Sequence, residues 1–301
     1  MKIDVFGLTD VGKNRKINED NFQCTILSEK NLNKGVPASL LIVADGIGGH
    51  AGGDTASAMA VNILNERIRN QYGAGAAEKE NYHAILEAAI QKVNSSIFQR
   101  AAEDQNLVGM GTTVVMAFII DSFALISNVG DSRAYLIRDK KILQITEDHS
   151  WKAEQLKLKL LLEKEISESP FRHTITRSLG FDSNVNVDTF SVELFNDDFL
   201  LLCSDGLYES LSDTYMMNLI HKNKKPEKIC LKLIKRANKK GGHDNITAVV
   251  VHLTGKEKAG EKKPRLSDTV KLEKKHRDMA EKQTGKDTVD LSPSDTIKLD
   301  T

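Results

Sequence analysis

The stretch Ser39-Leu40-Leu41-Ile42-Val43-Ala44-Asp45-Gly46-Ile47-Gly48-Gly49-His50-Ala51-Gly52-Gly53 decides how the 301-residue chain is read. Its first six residues form a short apolar run of the kind a strand buried on both faces carries. The run stops at an aspartate, a glycine-rich loop follows, and residues 54–70 then place Ala56, Met59, Ala60, Ile63, Leu64 and Ile68 on one helical stripe. Strand, glycine loop and helix are also the layout of a nucleotide-binding loop. This one has no Lys-Ser/Thr, and Asp45 would repel a nucleotide's phosphates unless a metal intervened.

Other aspartates share the setting of Asp45. Asp205 follows the apolar run 199–203, Asp244 with Asn245 precedes the run 246–253, and Glu19-Asp20 precedes 21–27. Asp131 lies in the loop 128–132 between two runs. A single Asp-Gly is usually just a turn, so the weight rests on joint occurrence. Strand ends of one sandwich open onto a common edge, where these carboxylates can meet. Gathered carboxylates need raised pKa values or a cation. Asp oxygens beside glycines, without Cys or paired His ligands, suit a hard ion such as Mg²⁺ or Mn²⁺. Gly46 is a candidate carbonyl ligand, and two ions about 4 Å apart would activate a water for displacement at phosphorus. Arg15 is the candidate fork for phosphate oxygens.

The elements expected around this edge are strands at 3–8, 21–27, 39–44, 113–120, 123–128, 133–138, 142–145, 188–193, 198–203 and 246–253, with Asp139-Lys140-Lys141 as a tight turn. Helices are expected at 54–70, 81–103, 213–222 and 226–239, the last opening on Pro226. Hairpin-like strand groups and paired helices point to an α+β class, with antiparallel sheets sandwiched by helices.

Composition narrows the function. Lys plus Arg and Asp plus Glu are both 42, so no global basic field is available for nucleic acid or an anionic membrane. The longest apolar run, 114–120, is far short of the roughly 20 residues of a membrane helix. The N-terminus has no uninterrupted apolar segment of a secretory signal. Cys24, Cys203 and Cys230 form neither a disulfide framework nor a thiolate zinc site. A cytoplasmic monomer is expected.

Seven motifs in order then resemble a known family: Thr9-Asp10-Val11-Gly12 with Arg15 and Asn18-Glu19-Asp20; Val43-Ala44-Asp45-Gly46 through Gly53; Gly111-Thr112-Thr113; Asn128-Val129-Gly130-Asp131-Ser132-Arg133; Ile175-Thr176-Arg177-Ser178-Leu179-Gly180; Cys203-Ser204-Asp205-Gly206-Leu207; and Gly242-His243-Asp244-Asn245-Ile246-Thr247. Together they resemble bacterial PP2C-type (PPM) Ser/Thr protein phosphatases across residues 1–254. The resemblance implies an α-β-β-α four-layer sandwich of two mainly antiparallel sheets flanked by helix pairs. It assigns Asp20 and Asp45 to one metal, and Asp45, the Gly46 carbonyl, Asp205 and Asp244 to the other. Glu19 and Asn245 would orient waters, Asp131 with Asp205 would hold a third, weaker ion, and Arg15 would seat the phosphate. It implies attack of a metal-bridging hydroxide on phosphoserine or phosphothreonine, with no covalent phosphoenzyme and a Ser/Thr kinase to oppose. Animal-type members carry His after Asp-Gly. Here Ile47 stands there, leaving His50 and metal-bound water as rival proton donors. A non-catalytic scaffold that recruits partners through its tail is the alternative, answered by the retention of Asp20, Asp45, Asp205 and Asp244.

Two segments fall outside the pattern. In the flap, about 150–174, the run Lys157-Leu158-Lys159-Leu160-Leu161-Leu162-Glu163-Lys164 reads as an amphipathic helix packing its leucines on the body, with an exposed lid as the alternative. Residues 255–301 carry 12 basic and 10 acidic residues and no aromatic side chain, so they read as a disordered tail. That division puts the body at −2 and the tail at +2. Within the tail Asp268-Thr269-Val270-Lys271-Leu272, Asp287-Thr288-Val289-Asp290-Leu291 and Asp295-Thr296-Ile297-Lys298-Leu299 repeat one pattern. Thr269, Thr288 and Thr296 are candidate phosphothreonine ligands for an FHA-domain protein, strand addition to a sheet edge being the unphosphorylated alternative.

Overall fold

The computed structural model describes residues 1–27, 37–48, 52–73, 81–159, 161–255 and 263–272. In chain order the strands are β1 (Lys2–Asp10), β2 (Asp20–Leu27), β3 (Ala38–Ile47), β4 (Gly111–Thr112), β5 (Val114–Ile120), β6 (Phe123–Val129), β7 (Arg133–Arg138), β8 (Lys141–Gln144), β9 (Asp188–Glu193), β10 (Phe199–Cys203), β11 (Ile246–Thr254) and β12 (Val270–Leu272). The helices are α1 (Gly53–Gly73), α2 (Tyr82–Glu103), α3 (Trp151–Leu158), α4 (Glu163–Glu168), α5 (Asp205–Tyr208), α6 (Asp213–Asn223), α7 (Pro226–Lys239) and α8 (Leu266–Thr269).

Alternation along the strands builds the layers. In β3, Leu40 and Ile42 face α1 and α2, where they meet Ala60, Leu64, Leu86 and Ile90. Their neighbours Leu41 and Val43 face the other way, into a core shared with Leu200, Leu202, Val249 and Val251 of the second sheet. In β10, Phe199, Leu201 and Cys203 then pack outward on Met216, Ile220, Ile229 and Leu233 of α6 and α7. A period of two with both faces covered gives an α-β-β-α sandwich. One sheet runs β1-β11-β10-β7-β8 and the other β12-β9-β6-β5-β3-β2, with β4 paired to β3. Every strand pairing is antiparallel. Asp139 and Lys140 turn the β7–β8 hairpin with φ of 49° and 57°, the left-handed pair that a two-residue hairpin requires. No helix among the described residues is long and apolar enough to cross a membrane.

Three expectations need correction. The strand carrying Asp45 does not stop at Ala44: it continues through Asp45 and Gly46 to Ile47, because Asp45 pairs with Asp20 of β2 and Gly46 with Thr112 of β4. The flap is not one helix packing its leucines inward. Lys159 ends α3 at a φ of 53°, and Leu156, Leu158, Leu161 and Leu162 are all exposed. Ile166 of α4 is buried instead. Finally, the tail is not uniformly detached from the body after residue 255. Residues 263–272 fold onto it, Val270 pairing with Val192 and Leu272 with Phe190, and Thr269 is buried. Composition missed this because it averages over the whole tail, whereas one short segment completes a sheet edge and covers a buried arginine. Thr288 and Thr296 lie outside the described residues.

Candidate metal and phosphate site

Asp20 opens β2 directly opposite Asp45 of β3. The second sheet contributes to the same edge. Thr247 of β11 and Ser204, just after β10, donate their hydroxyls to Asp20 Oδ2 at 2.6 and 2.7 Å. Asp205 begins α5 immediately beyond Ser204. Asp131 stands in the β6–β7 loop and is tied to the Asp45 backbone through its neighbour: Ser132 Oγ lies 2.7 Å from Thr113 Oγ1, which accepts from Asp45 N at 3.1 Å. Asp244 precedes β11 and accepts Arg15 Nη2 at 2.8 Å.

Close backbone approach makes the edge possible. A Cβ on Gly46 would overlap the Gly53 carbonyl at the start of α1, so only glycine lets β3, α1 and the chain at Glu19 meet there. Gly12, at φ of 78°, folds the preceding loop against 242–244, where Lys13 N donates to Gly242 O at 2.8 Å. That contact brings Arg15 to Asp244.

The electrostatics are those of acids withdrawn from water and close to one another. Burial pushes the Asp20 carboxyl up to about 6 despite its two hydroxyl donors. Burial first, then Asp148, pushes Asp131 up to about 7. Asp45 is held well above the carboxylate range by burial first and then by Asp20, Asp205, Asp131 and Asp244. Asp205 is raised by burial and then by Asp131 and Asp244. Asp20 Oδ1, Asp131 Oδ1 and Asp205 Oδ1 are buried with no hydrogen-bond partner among the described residues. Hard anionic oxygens left without a donor fit a divalent cation. Among the described residues no three Asp, Glu, His or Cys side chains already close into a ligand set.

This arrangement makes stability depend on pH when divalent ions are withheld. The carboxyl of Asp20 has a folded pKa near 6 and that of Asp131 near 7, against about 3.9 unfolded. Stability from protonating them is therefore complete below about pH 4 and lost as pH rises through 6 to 7. In chelator, thermal unfolding shifts downward between about pH 4 and 8, at a cost on the order of 3 kcal/mol per carboxyl over that whole range. Saturating Mn²⁺ at pH 8 reverses the shift. A melting temperature in chelator that is flat across this window would show that the acids carry no such strain.

Asn245 is tied into the backbone around the loop that carries Arg15. It is buried, and its amide is consumed by backbone: Oδ1 accepts Glu19 N at 2.8 Å, and Nδ2 donates to Val11 O and Ile17 O at 3.0 Å each. It clamps the loop that carries Arg15, with both ends of its amide bonded to backbone. Asn245→Leu strands three backbone groups and should cost about 3 kcal/mol in urea unfolding. A cost below 1 kcal/mol would remove the clamp. Glu19 stays beside the site, 3.7 Å from Arg15, with its pKa raised by burial. His50 lies outside the described residues. The sequence reading assigned no role to Ser204, Thr247 and Thr113. The hydroxyls of Ser204 and Thr247 reach Asp20 only after the two sheets approach, and that of Thr113 reaches Asp45 only across paired strands, neither of which sequence spacing displays.

The family model described as Protein phosphatase 2C matches residues 13–239. The chain is 38% identical over 243 residues to "Serine/threonine phosphatase stp" of Listeria welshimeri, covering 81% of this chain and 93% of that one. Its fold is similar to that of the S. agalactiae serine/threonine phosphatase, with a TM-score of 0.75, 30% identity, and coverage of 84% of this chain and 100% of that one. It is also similar to the catalytic domain of the serine threonine protein phosphatase PstP in complex with 2 manganese ions, with a TM-score of 0.69, 28% identity, and coverage of 84% and 99%.

Proposed function

Because the chain belongs to the protein phosphatase 2C family and is a protein-serine/threonine phosphatase, we propose that its acidic sheet edge binds two divalent ions, Mn²⁺ or Mg²⁺, and hydrolyses phosphoserine and phosphothreonine without a covalent phosphoenzyme. The observation that carries this reading is the set of buried, undonated oxygens on Asp20, Asp131 and Asp205.

On this reading Asp20 and Asp45 hold one ion, and Asp45, the Gly46 carbonyl, Asp205 and Asp244 the other, with Asp131 and Asp205 available to a third, weaker one. When bound, such ions supply Lewis-acid stabilisation of phosphoryl charge and lower the pKa of a water enough for it to attack at neutral pH. The chain's own residues position and neutralise. Ser204 and Thr247 fix the rotamer of Asp20 by holding Oδ2, which leaves Oδ1 free. Arg15 is half exposed and paired with Asp244. An exposed pair of this kind is worth under about 1 kcal/mol, so the guanidinium can turn to a phosphate at little cost. Glu19 stands next to it as a hydrogen-bond acceptor for water. The leaving alkoxide takes its proton from His50 or from solvent held at the site.

The chain would act in the cytoplasm as a monomer, opposing a Ser/Thr kinase. Thr288 and Thr296, once phosphorylated, would be read by an FHA-type domain; Thr269 is withdrawn from that role because it is buried. Rapid quench with a ³²P-labelled phosphothreonine peptide and Mn²⁺ tests the reaction. Label should pass directly to inorganic phosphate, with ¹⁸O from water in the product. Label trapped on the protein would contradict the direct displacement.

A further inference from the structure

Arg138 is 1% exposed, so each of its donors needs a partner. The body supplies most of them. Nε and Nη2 fork onto Asp198 at 2.9 and 2.7 Å, and Nη2 also donates to Glu193 O at 2.9 Å. Among the described residues, Nη1 is satisfied only by ones beyond β11: Thr269 Oγ1 at 2.8 Å, with Pro264 O at 3.5 Å. The same Thr269 hydroxyl donates to Arg265 O at 2.9 Å, so it is used as acceptor and donor at once. Beside it Val270 and Leu266 pack on the core between the sheets, and β12 extends the edge at β9. An arginine, an apolar pocket and an open strand edge thus read the threonine, the β-branched residue after it and an extended backbone.

That is the pattern which recurs in the tail. The third copy matches the bound one most closely. Ser294-Asp295-Thr296-Ile297-Lys298-Leu299 reproduces Ser267-Asp268-Thr269-Val270-Lys271-Leu272 with only Ile for Val. Pro293 takes the position of Leu266, the first residue of α8, where proline is tolerated. The second copy puts Gly285 there and Asp290 in place of the exposed Lys271. We propose that the β9 edge above the Arg138–Asp198 pair is a docking groove for Asp-Thr-[Val/Ile]-x-Leu segments with a free threonine hydroxyl, filled by the first copy and open in exchange to the third copy of the same chain.

Chain length allows the exchange. Thr296 lies 27 residues beyond Thr269, and lengthening the loop from Thr254 by that much lowers effective concentration only on the order of fivefold. A phosphorylated threonine does not fit the groove. It has no hydrogen for Arg265 O and brings up to two negative charges next to the buried Asp198 carboxylate. Docking on the protein's own edge and recognition by a phosphothreonine-binding partner are therefore mutually exclusive states of one motif.

Hydrogen-exchange mass spectrometry on the full chain tests this. In the wild type, residues 268–272 should exchange on the order of tenfold more slowly than 295–299. Excess synthetic peptide of sequence 294–301 should abolish the protection of 268–272, and the same peptide phosphorylated on its threonine should not. In full-length Thr269→Val, protection should move to 295–299, while Thr269→Ser keeps it at 268–272; unchanged exchange in β11 reports an intact body in each. The proposal is overturned if the free peptide leaves 268–272 protected, if the phosphopeptide displaces it as well, or if Thr269→Val leaves 295–299 unprotected. Protection at 295–299 that grows with protein concentration would overturn the same-chain assignment in favour of a second copy. None of these readouts depends on phosphatase activity, so they fail or succeed independently of the catalytic reading.

Discussion

Asp205→Ala should lower turnover of a phosphothreonine peptide by about three orders of magnitude in saturating Mn²⁺, the equivalent of several kcal/mol of lost charge stabilisation at phosphorus. Asp205 is singled out because it begins α5 just after Ser204, where its Oδ1 is buried and accepts no hydrogen bond. Burial and the neighbouring charges of Asp131 and Asp244 raise its pKa, so the carboxylate is strained without a cation. The same strain gives the variant a second signature. Removing one of several mutually repelling acids relieves the metal-free protein, so Asp205→Ala should melt no lower than the wild type in chelator. Steady-state kinetics alongside a thermal melt check both parts. A variant that keeps a tenth of wild-type turnover would take Asp205 out of the site.

Arg138→Met should destabilise the chain by about 4 kcal/mol, the range found when one partner of a buried ion pair is removed. Asp198 is 0% exposed and forks onto Arg138 through both oxygens. Its Oδ2 also accepts Phe195 N at 2.8 Å, which cannot by itself compensate a buried charge. The cost thus belongs to the stranded carboxylate rather than to the lost arginine. It follows that Arg138→Met combined with Asp198→Leu recovers most of the loss. Urea unfolding of the two variants separates the accounts. Equal losses in single and double variants would mean that the pair is worth only its packing.

How much of this could be read beforehand depended on whether the deciding contacts were local. The apolar runs of β3, β10 and β11 declare themselves through composition, and the aspartates beside them are legible because a carboxylate next to a strand is a local feature. The four-layer order follows once Leu40 and Leu41 point to opposite faces. Longer-range contacts were not legible. Asn245 looks like a site residue because it adjoins Asp244, yet its amide is spent on backbone of Val11, Ile17 and Glu19, far away in sequence. The flap leucines match a helical stripe, but Lys159 breaks the helix after eight residues and leaves them exposed. Thr269 sits in a segment whose average composition is that of a solvated tail. Its burial depends on a single arginine in β7 that needs a partner.

On the proposed reading, this acidic edge works through bound divalent ions. The most direct measurement is phosphothreonine-peptide hydrolysis by the full chain, stripped with chelator and then titrated with Mn²⁺. The stripped protein should be inactive, and activity should return and saturate as Mn²⁺ is added. Full activity in the stripped protein, or none at saturating Mn²⁺, would contradict the account.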